Sequence, residues 1–273
     1  MTFVDLTPAH THLSAEELRR TQGEPNQEVQ CRFASVERAT TAITDVVFDF
    51  GEVLVHWDPA GPLSSRFDEE MIRQFRDNEL SGFDDANAVS DNGESLEDAV
   101  AQMTPHPGPW AEMMRFYLER FDQSLMGEIP GARQLIEDLH QAGYRCWGLS
   151  NWSPENFYWV PRRYPIIHEL DGYLVSGFIH QIKPNRDIFE TASHTFGYEP
   201  EHAVFIDDKP SNVQAARDCG MGGIVQRSAQ QVREDLIAMG VNIPAVMTSV
   251  EQASGFRASM PSDCHASKTV VKG

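Results

Sequence analysis

The chain has 273 residues, 41% of them hydrophobic, and a formal net charge of −19, with a pI of about 4.8. That length accommodates one sizeable α/β core and a smaller accessory module. The charge repels nucleic-acid backbones and anionic membranes, so neither is an expected partner, and an anionic substrate needs a local cationic site from a metal or a lysine.

In chain order, residues 1–43 read as a polar, flexible arm in which 13–20 (LSAEELRR) form a short helix, with Ser14 capping and Glu17 completing a capping box. Residues 1–24 lack a basic stretch followed by an apolar one, and no run approaches the ~18 to 20 apolar residues of a membrane helix. Residues 45–50 (DVVFDF) read as a buried parallel strand. From 62 to 126 the pattern turns helical, with helices expected over 69–78, 96–103 and 110–125 and no strand between them. Trp110, Met113, Met114, Phe116, Tyr117 and Phe121 form an apolar stripe there, the core of a helical module inserted after the first strand.

Alternation then resumes. A helix is expected over 130–142, stopped by Gly143, and strands over 145–149 and 172–175. A helix over 186–196 ends at Gly197, a strand covers 203–206, a helix over 211–219 closes at Gly220, and a last strand covers 223–225. Strands alternating with helices imply a doubly wound parallel sheet, here with an inserted helical cap. The core is expected over 44–61 and 127–247, the cap over 62–126, and a disordered tail over 248–273. Cys31, Cys146, Cys219 and Cys264 show no CxxC spacing, so no zinc site or disulfide framework is expected. Cys146 and Cys219 read as buried small hydrophobes, and a reducing cytoplasm as the setting. The oligomeric state is not legible.

In an open α/β sheet, ligands bind beyond the carboxyl ends of the strands. Asp49, Ser150-Asn151 and Asp207-Asp208 stand at such ends, and Lys183-Pro184 lies in a loop before a helix. Each alone also reads as a turn or a helix cap. Together, Asp49 and Asp208 make a hard-oxygen site suited to Mg²⁺. Ser150, nearby main-chain N–H groups and Lys183 could receive the oxygens of a phosphoryl group. A metal-bound carboxylate, freed of its proton, can also act as a nucleophile.

In this set of motifs the chain resembles the haloacid dehalogenase (HAD) superfamily of hydrolases. VVFDFGEVLVHWDP, GLSNWS, IKPNRDIF and FIDDKPSNVQAARDCGM resemble its four motifs, in order, over roughly residues 45–225. FDFGEVLV and LSNWS look most like the branch that contains α-glucose-1-phosphate phosphatase and the N-terminal domain of soluble epoxide hydrolase, and DNGESLEDA resembles a Gly-containing segment between cap helices in that branch. The resemblance implies Mg²⁺-dependent hydrolysis of a small phosphate ester, a sugar phosphate being one candidate, through an aspartyl-phosphate on Asp49. It implies metal binding by Asp49, the Gly51 carbonyl and Asp208, with Asp207 helping directly or through water. It further implies phosphate binding by Ser150, the Asn151 main chain and Lys183.

One position departs from that pattern. Gly51 stands where most phosphatases of the superfamily carry an Asp that protonates the leaving group, a contribution of ~10²- to 10⁴-fold. The resemblance then implies slower turnover, an easier leaving group or a donor from elsewhere. Glu52 and His56 are near in sequence but read as structural. Two other readings stay open. One is a 2-haloacid dehalogenase using Asp49 without metal, against which stand Asp207-Asp208 and the lack of Tyr at position 51. The other is a non-catalytic binding or regulatory protein, which has no use for a nucleophile.

Overall fold

The computed structural model describes residues 42–245, Trp159 excepted. The fold belongs to a compact unit that closes at Ile243. The short helix expected over 13–20, nearly all of the arm, the tail from residue 248, Cys31 and Cys264 lie outside the described residues.

Five parallel strands form the sheet: β1 (Asp45–Phe48), β4 (Arg145–Ser150), β5 (Gly172–Val175), β6 (Ala203–Asp207) and β7 (Gly222–Val225). Their order is β5-β4-β1-β6-β7. The chain therefore starts in the centre, winds outward on one side through β4 and β5, and then crosses β1 to build the other side. The C-terminal end of β1 stands at the reversal, where the connections diverge and leave a crevice.

Near-continuous apolar runs make these strands buried on both faces. Val46, Phe48, Val204 and Ile206 face one side with Leu135, Ile136 and Leu139 of the helix Ala132–Gln141 and Val232 and Leu236 of the helix Ala229–Ala238. Val47, Leu149 and Phe205 face the other, with Ile188, Phe189 and Ala192 of the helix Arg186–Phe196 and Ala216 of the helix Pro210–Asp218. Cys146 is in the core, whereas Cys219 is half-buried at a helix end. Among the described residues no helix is long and apolar enough to cross a membrane.

The helical insertion is carried on a ribbon that sequence patterning does not show. β2 (Val55–Trp57) pairs antiparallel with β3 (Leu125–Glu128), Val55 opposite Glu128 and Trp57 opposite Leu125. Strands of three and four residues are too short to show a period, and β3 overlaps the end of the stretch expected to be helical. The helix expected to run to 125 stops at Leu118 and is followed by a 3₁₀ turn, Phe121–Ser124. The helix expected over 69–78 breaks into Glu69–Phe75 and Asn78–Ser81, because Asp68 and Asp77 each cap a new N-terminus. A helix not expected, Phe83–Asp91, follows. Of the apolar stripe, Met113, Met114 and Tyr117 are fully buried, in one cluster with Val46 and Phe48 of the sheet, while Phe116 is half-buried beneath the Arg120 guanidinium.

The end of the helix Phe83–Asp91 is fastened to the sheet's loops. Ser176 Oγ donates to the Asp91 carbonyl, and His180 Nδ1 lies 2.9 Å from the Asn92 carbonyl. Gly93 follows at φ +91°, and a Cβ there would stand 2.3 Å from the Gly177 carbonyl oxygen. Glycine is thus required twice, by the left-handed backbone and by the close approach. Gly93→Ala is expected to lower stability by about 1–3 kcal/mol in urea titration; a loss under about 0.5 kcal/mol would show that this approach is not needed.

Candidate active site

Asp49 is the first residue beyond β1, and its N–H still donates to the Ile206 carbonyl at 2.9 Å, so the sheet's register fixes where it stands. The chain then curls tightly. The Phe50 carbonyl accepts from the N–H groups of Leu54 at 2.8 Å and Val55 at 2.9 Å, and Gln226 Nε2, beyond β7, pins the turn by donating to the Glu52 carbonyl at 2.7 Å. Gly51 sits in this turn, and a Cβ there would meet no atom within 4 Å.

Lys183 reaches the same place from the loop before the helix Arg186–Phe196. Its ammonium lies 2.8 Å from Asp49 Oδ1, 2.7 Å from Asp207 Oδ2 and 3.0 Å from the Leu149 carbonyl, with the residue only 3% exposed. These three contacts use all three of its N–H donors. The ammonium is thus directed at the two carboxylates, and a bound phosphoryl group would have to take over one of these donors. The Asn151 side chain clamps the Lys183 main chain in both directions, Nδ2 donating to its carbonyl and Oδ1 accepting from its N–H, each at 2.9 Å. That amide therefore positions the lysine, which leaves the Asn151 main chain for any anion.

The two adjacent aspartates differ sharply. Asp207 is fully buried, and its oxygens accept from Lys183, from the Lys209 N–H at 2.8 Å and from Asn212 Nδ2 at 3.0 and 3.1 Å. Asp208 is half-buried and faces the cavity. Carboxylate oxygens of Asp49, Asp207 and Asp208 lie within 4.8 Å of one another. An all-oxygen donor set of this kind suits a hard divalent cation such as Mg²⁺. The crowded charges shift one another's protonation. Burial, then repulsion by Asp49 and Asp207, pushes Asp208 up to about 7. Burial raises Asp49 as well, Lys183 opposing it. Burial alone would lower the Lys183 ammonium, but Asp207 and Asp49 outweigh it and hold the charge.

These groups open on a cavity of about 80 Å³ lined by Asp49, Gly51, Ser150, Asn151, Lys183 and Asp208, so the residues expected from sequence converge, with Asp207 directly behind them. Trp57, Phe121 and Trp152 form an apolar wall. Trp152 thus lines the cavity, whereas Trp110 and Phe116 of the apolar stripe do not. Glu52 also lines it, but its Oε1 accepts from the Trp57 N–H at 2.6 Å and lies 2.7 Å from His56 Nδ1, so both side chains brace the turn. Lys209 and Asn212 line it as well, and so do Asn87 and Asp91, from the helix Phe83–Asp91, which were not expected. Asp91 opens the DNGESLEDA segment, yet nothing in its local pattern places it opposite Asp49.

Residues 46–225 match the model of the haloacid dehalogenase-like hydrolases, and the chain belongs to that family. Among curated relatives it is 29% identical over 122 residues to flavin mononucleotide hydrolase 1 of Arabidopsis thaliana, covering 42% of this chain and 46% of the relative. It is 25% identical over 120 residues to glyceraldehyde 3-phosphate phosphatase of Pyrococcus abyssi, covering 43% and 50%. The match thus spans about half the length of these relatives. In fold it is similar to a HAD-family enzyme of Bacteroides thetaiotaomicron crystallised as a magnesium complex, with a TM-score of 0.53, 19% identity, and coverage of 69% of this chain and 95% of that one.

A stability signature follows from the crowded carboxylates. Asp208 rises from 3.8 to about 7 on folding. A raised acid keeps its proton in the folded state where the unfolded chain has released it, so stability present below about pH 4 is lost as the pH climbs to about 7. Without metal at pH 8, Asp208→Asn is expected to be more stable than wild type by on the order of 1 kcal/mol, with the difference vanishing near pH 4. Thermal melts at the two pH values measure it, and a destabilised variant at pH 8 would contradict it.

Proposed function

We propose that the chain is a magnesium-dependent phosphatase that hydrolyses a small phosphorylated metabolite, possible sugar phosphates included, through an aspartyl-phosphate on Asp49. The observation that carries the reading is the Asp49 carboxylate held 2.8 Å from a buried lysine and beside Asp208 at the mouth of the cavity. A carboxylate nucleophile must be aimed and kept ionised, and the neighbouring ammonium serves both needs.

In this reading Asp49, the Gly51 carbonyl and Asp208 would hold Mg²⁺. Asp207 acts from behind, fixing Lys183 and the turn at Lys209. When bound, the ion supplies charge neutralisation for the phosphoryl oxygens. Lys183 orients Asp49. Ser150, the Asn151 main chain and Lys183 receive the phosphoryl oxygens once Lys183 exchanges a donor. Asp49 attacks phosphorus, the ester bond breaks, and water hydrolyses the aspartyl-phosphate to release inorganic phosphate. Trp57, Phe121 and Trp152 offer an apolar face to the substrate's organic part. The relatives named as a flavin mononucleotide hydrolase and a glyceraldehyde 3-phosphate phosphatase support a phosphate ester as substrate.

Hydrolysis of p-nitrophenyl phosphate is expected with Mg²⁺, to be lost in EDTA and to return when Mg²⁺ is restored. Asp49→Asn should lower it by at least about 10³-fold while keeping the wild-type circular dichroism spectrum. Metal-independent chloride release from 2-chloropropionate, with no phosphate release, would replace this reading by the dehalogenase one. Undiminished hydrolysis by Asp49→Asn would remove Asp49 as nucleophile.

A further inference from the structure

Departure of an alkoxide is eased by a proton, and position 51 carries no side chain to give one. Gly51 lines the cavity without a side chain, although a Cβ would meet nothing within 4 Å. Among the described residues, four carboxyls line the cavity: Asp49, Glu52, Asp91 and Asp208. Asp49 is the attacking group and Asp208 belongs to the cation cluster. Glu52 is engaged by the Trp57 N–H and His56. Asp91 remains.

Asp91 comes from the insertion rather than the sheet, and both ends of its residue are held. Its main-chain carbonyl accepts from Ser176 Oγ, whose own oxygen accepts from the Trp152 N–H at 2.9 Å. Its carboxyl accepts from Asn87 Nδ2, one helical turn earlier, at 2.9 Å, and from the Ser153 N–H. Trp152 and Ser153 directly follow Ser150 and Asn151, so the loop that receives the phosphoryl group also sets the position of this carboxyl. The surroundings favour its protonated form. It ends a helix, where the partial charge is negative. Burial pushes it up to about 7, Lys209 and Lys183 opposing and Asp49 adding to the rise. An entering phosphoryl group brings further negative charge.

We infer that Asp91 is the general acid of the reaction, supplied by the insertion in place of a carboxyl at position 51. The inference rests on the phosphatase reading. As Asp49 attacks phosphorus and the ester P–O bond breaks, the departing oxygen takes the Asp91 proton and leaves Asp91 as carboxylate. When water attacks the aspartyl-phosphate, its oxygen joins phosphorus, the bond from phosphorus to Asp49 breaks, and one water proton returns to Asp91.

The test is the leaving-group dependence of kcat/KM, which reports the step that forms the aspartyl-phosphate. For Asp91→Asn, the loss should grow with the basicity of the leaving group. It should be under about tenfold for p-nitrophenyl phosphate and about 10²-fold or more for phenyl phosphate, a close relative in shape whose phenoxide needs the proton more. The residual p-nitrophenyl phosphate activity also reports that the variant is folded. Equal losses for the two esters, or no loss for either, would overturn the acid role. Wild-type protein that hydrolyses neither ester with Mg²⁺ would instead overturn the phosphatase reading, and the acid role with it.

Discussion

The buried ammonium of Lys183 is the constraint around which the rest of the site is arranged. Removing such a charge from water costs several kcal/mol, and the cost is offset only when its partners arrive with good geometry. Those partners are Asp49, Asp207 and the Leu149 carbonyl, contributed by the ends of β1, β6 and β4. Phe48 lies opposite both Ile206 and Gly148, so the register of three adjacent strands brings the groups together. A slip of one residue in any of them would turn its side chains to the other face and strand the lysine. Folding the sheet correctly and assembling the charged site are therefore the same requirement.

The sheet and the insertion contribute different chemistry. Strand ends supply fixed charges, because a parallel sheet buried on both faces holds its termini rigidly. The insertion brings side chains on helices, tied back by the β2–β3 ribbon and by the contacts of Asp91, Asn92 and Gly93 with the helical turn Ser176–Ile179 and His180. Two apolar surfaces meet at the cavity, with Phe121 edge-on to Trp152 at 5.7 Å. Lys183 is the cationic group at these strand ends, but Asp49 and Asp207 already pair with it and Asp208 stands beside them, so in a chain of net charge −19 an anion needs a further cation at the site to find a favourable field at close range.

Much of the core was legible because its strands are continuous apolar runs and its helices carry capping and glycine signals. The strand Gly172–Val175 and the helix Arg186–Phe196 are found at the expected residues, and β1 ends two residues early because Asp49 and Phe50 peel away into the turn. The misses share a cause. β2 and β3 are very short, and each forms because the other is there, about seventy residues away. The helices Pro154–Phe157 and Ser176–Ile179 are single turns without a periodic face to read. The helix Ala229–Ala238 carried the weakest amphipathic signal of the longer core helices, although Ser228 caps it by accepting from the Gln231 N–H at 3.1 Å.

Sequence by itself determined that apolar strands alternate with helices, that Asp49, Ser150, Lys183 and Asp208 belong to one set of motifs, and that helices rather than a second sheet strand follow the first strand. Apolar periodicity and turn chemistry are local properties, readable wherever a segment is long enough. Tertiary structure decided what each polar group does. Asp207 is saturated by donors while Asp208 faces the cavity, the Asn151 amide is spent on Lys183, and Glu52 is spent on His56 and Trp57. Asp91 lines the same cavity as Asp49, and two residues further on Gly93 lets its backbone approach that of Gly177. Whether a hydrogen-bonding group is free or engaged depends on neighbours distant along the chain, and only the folded molecule brings them together.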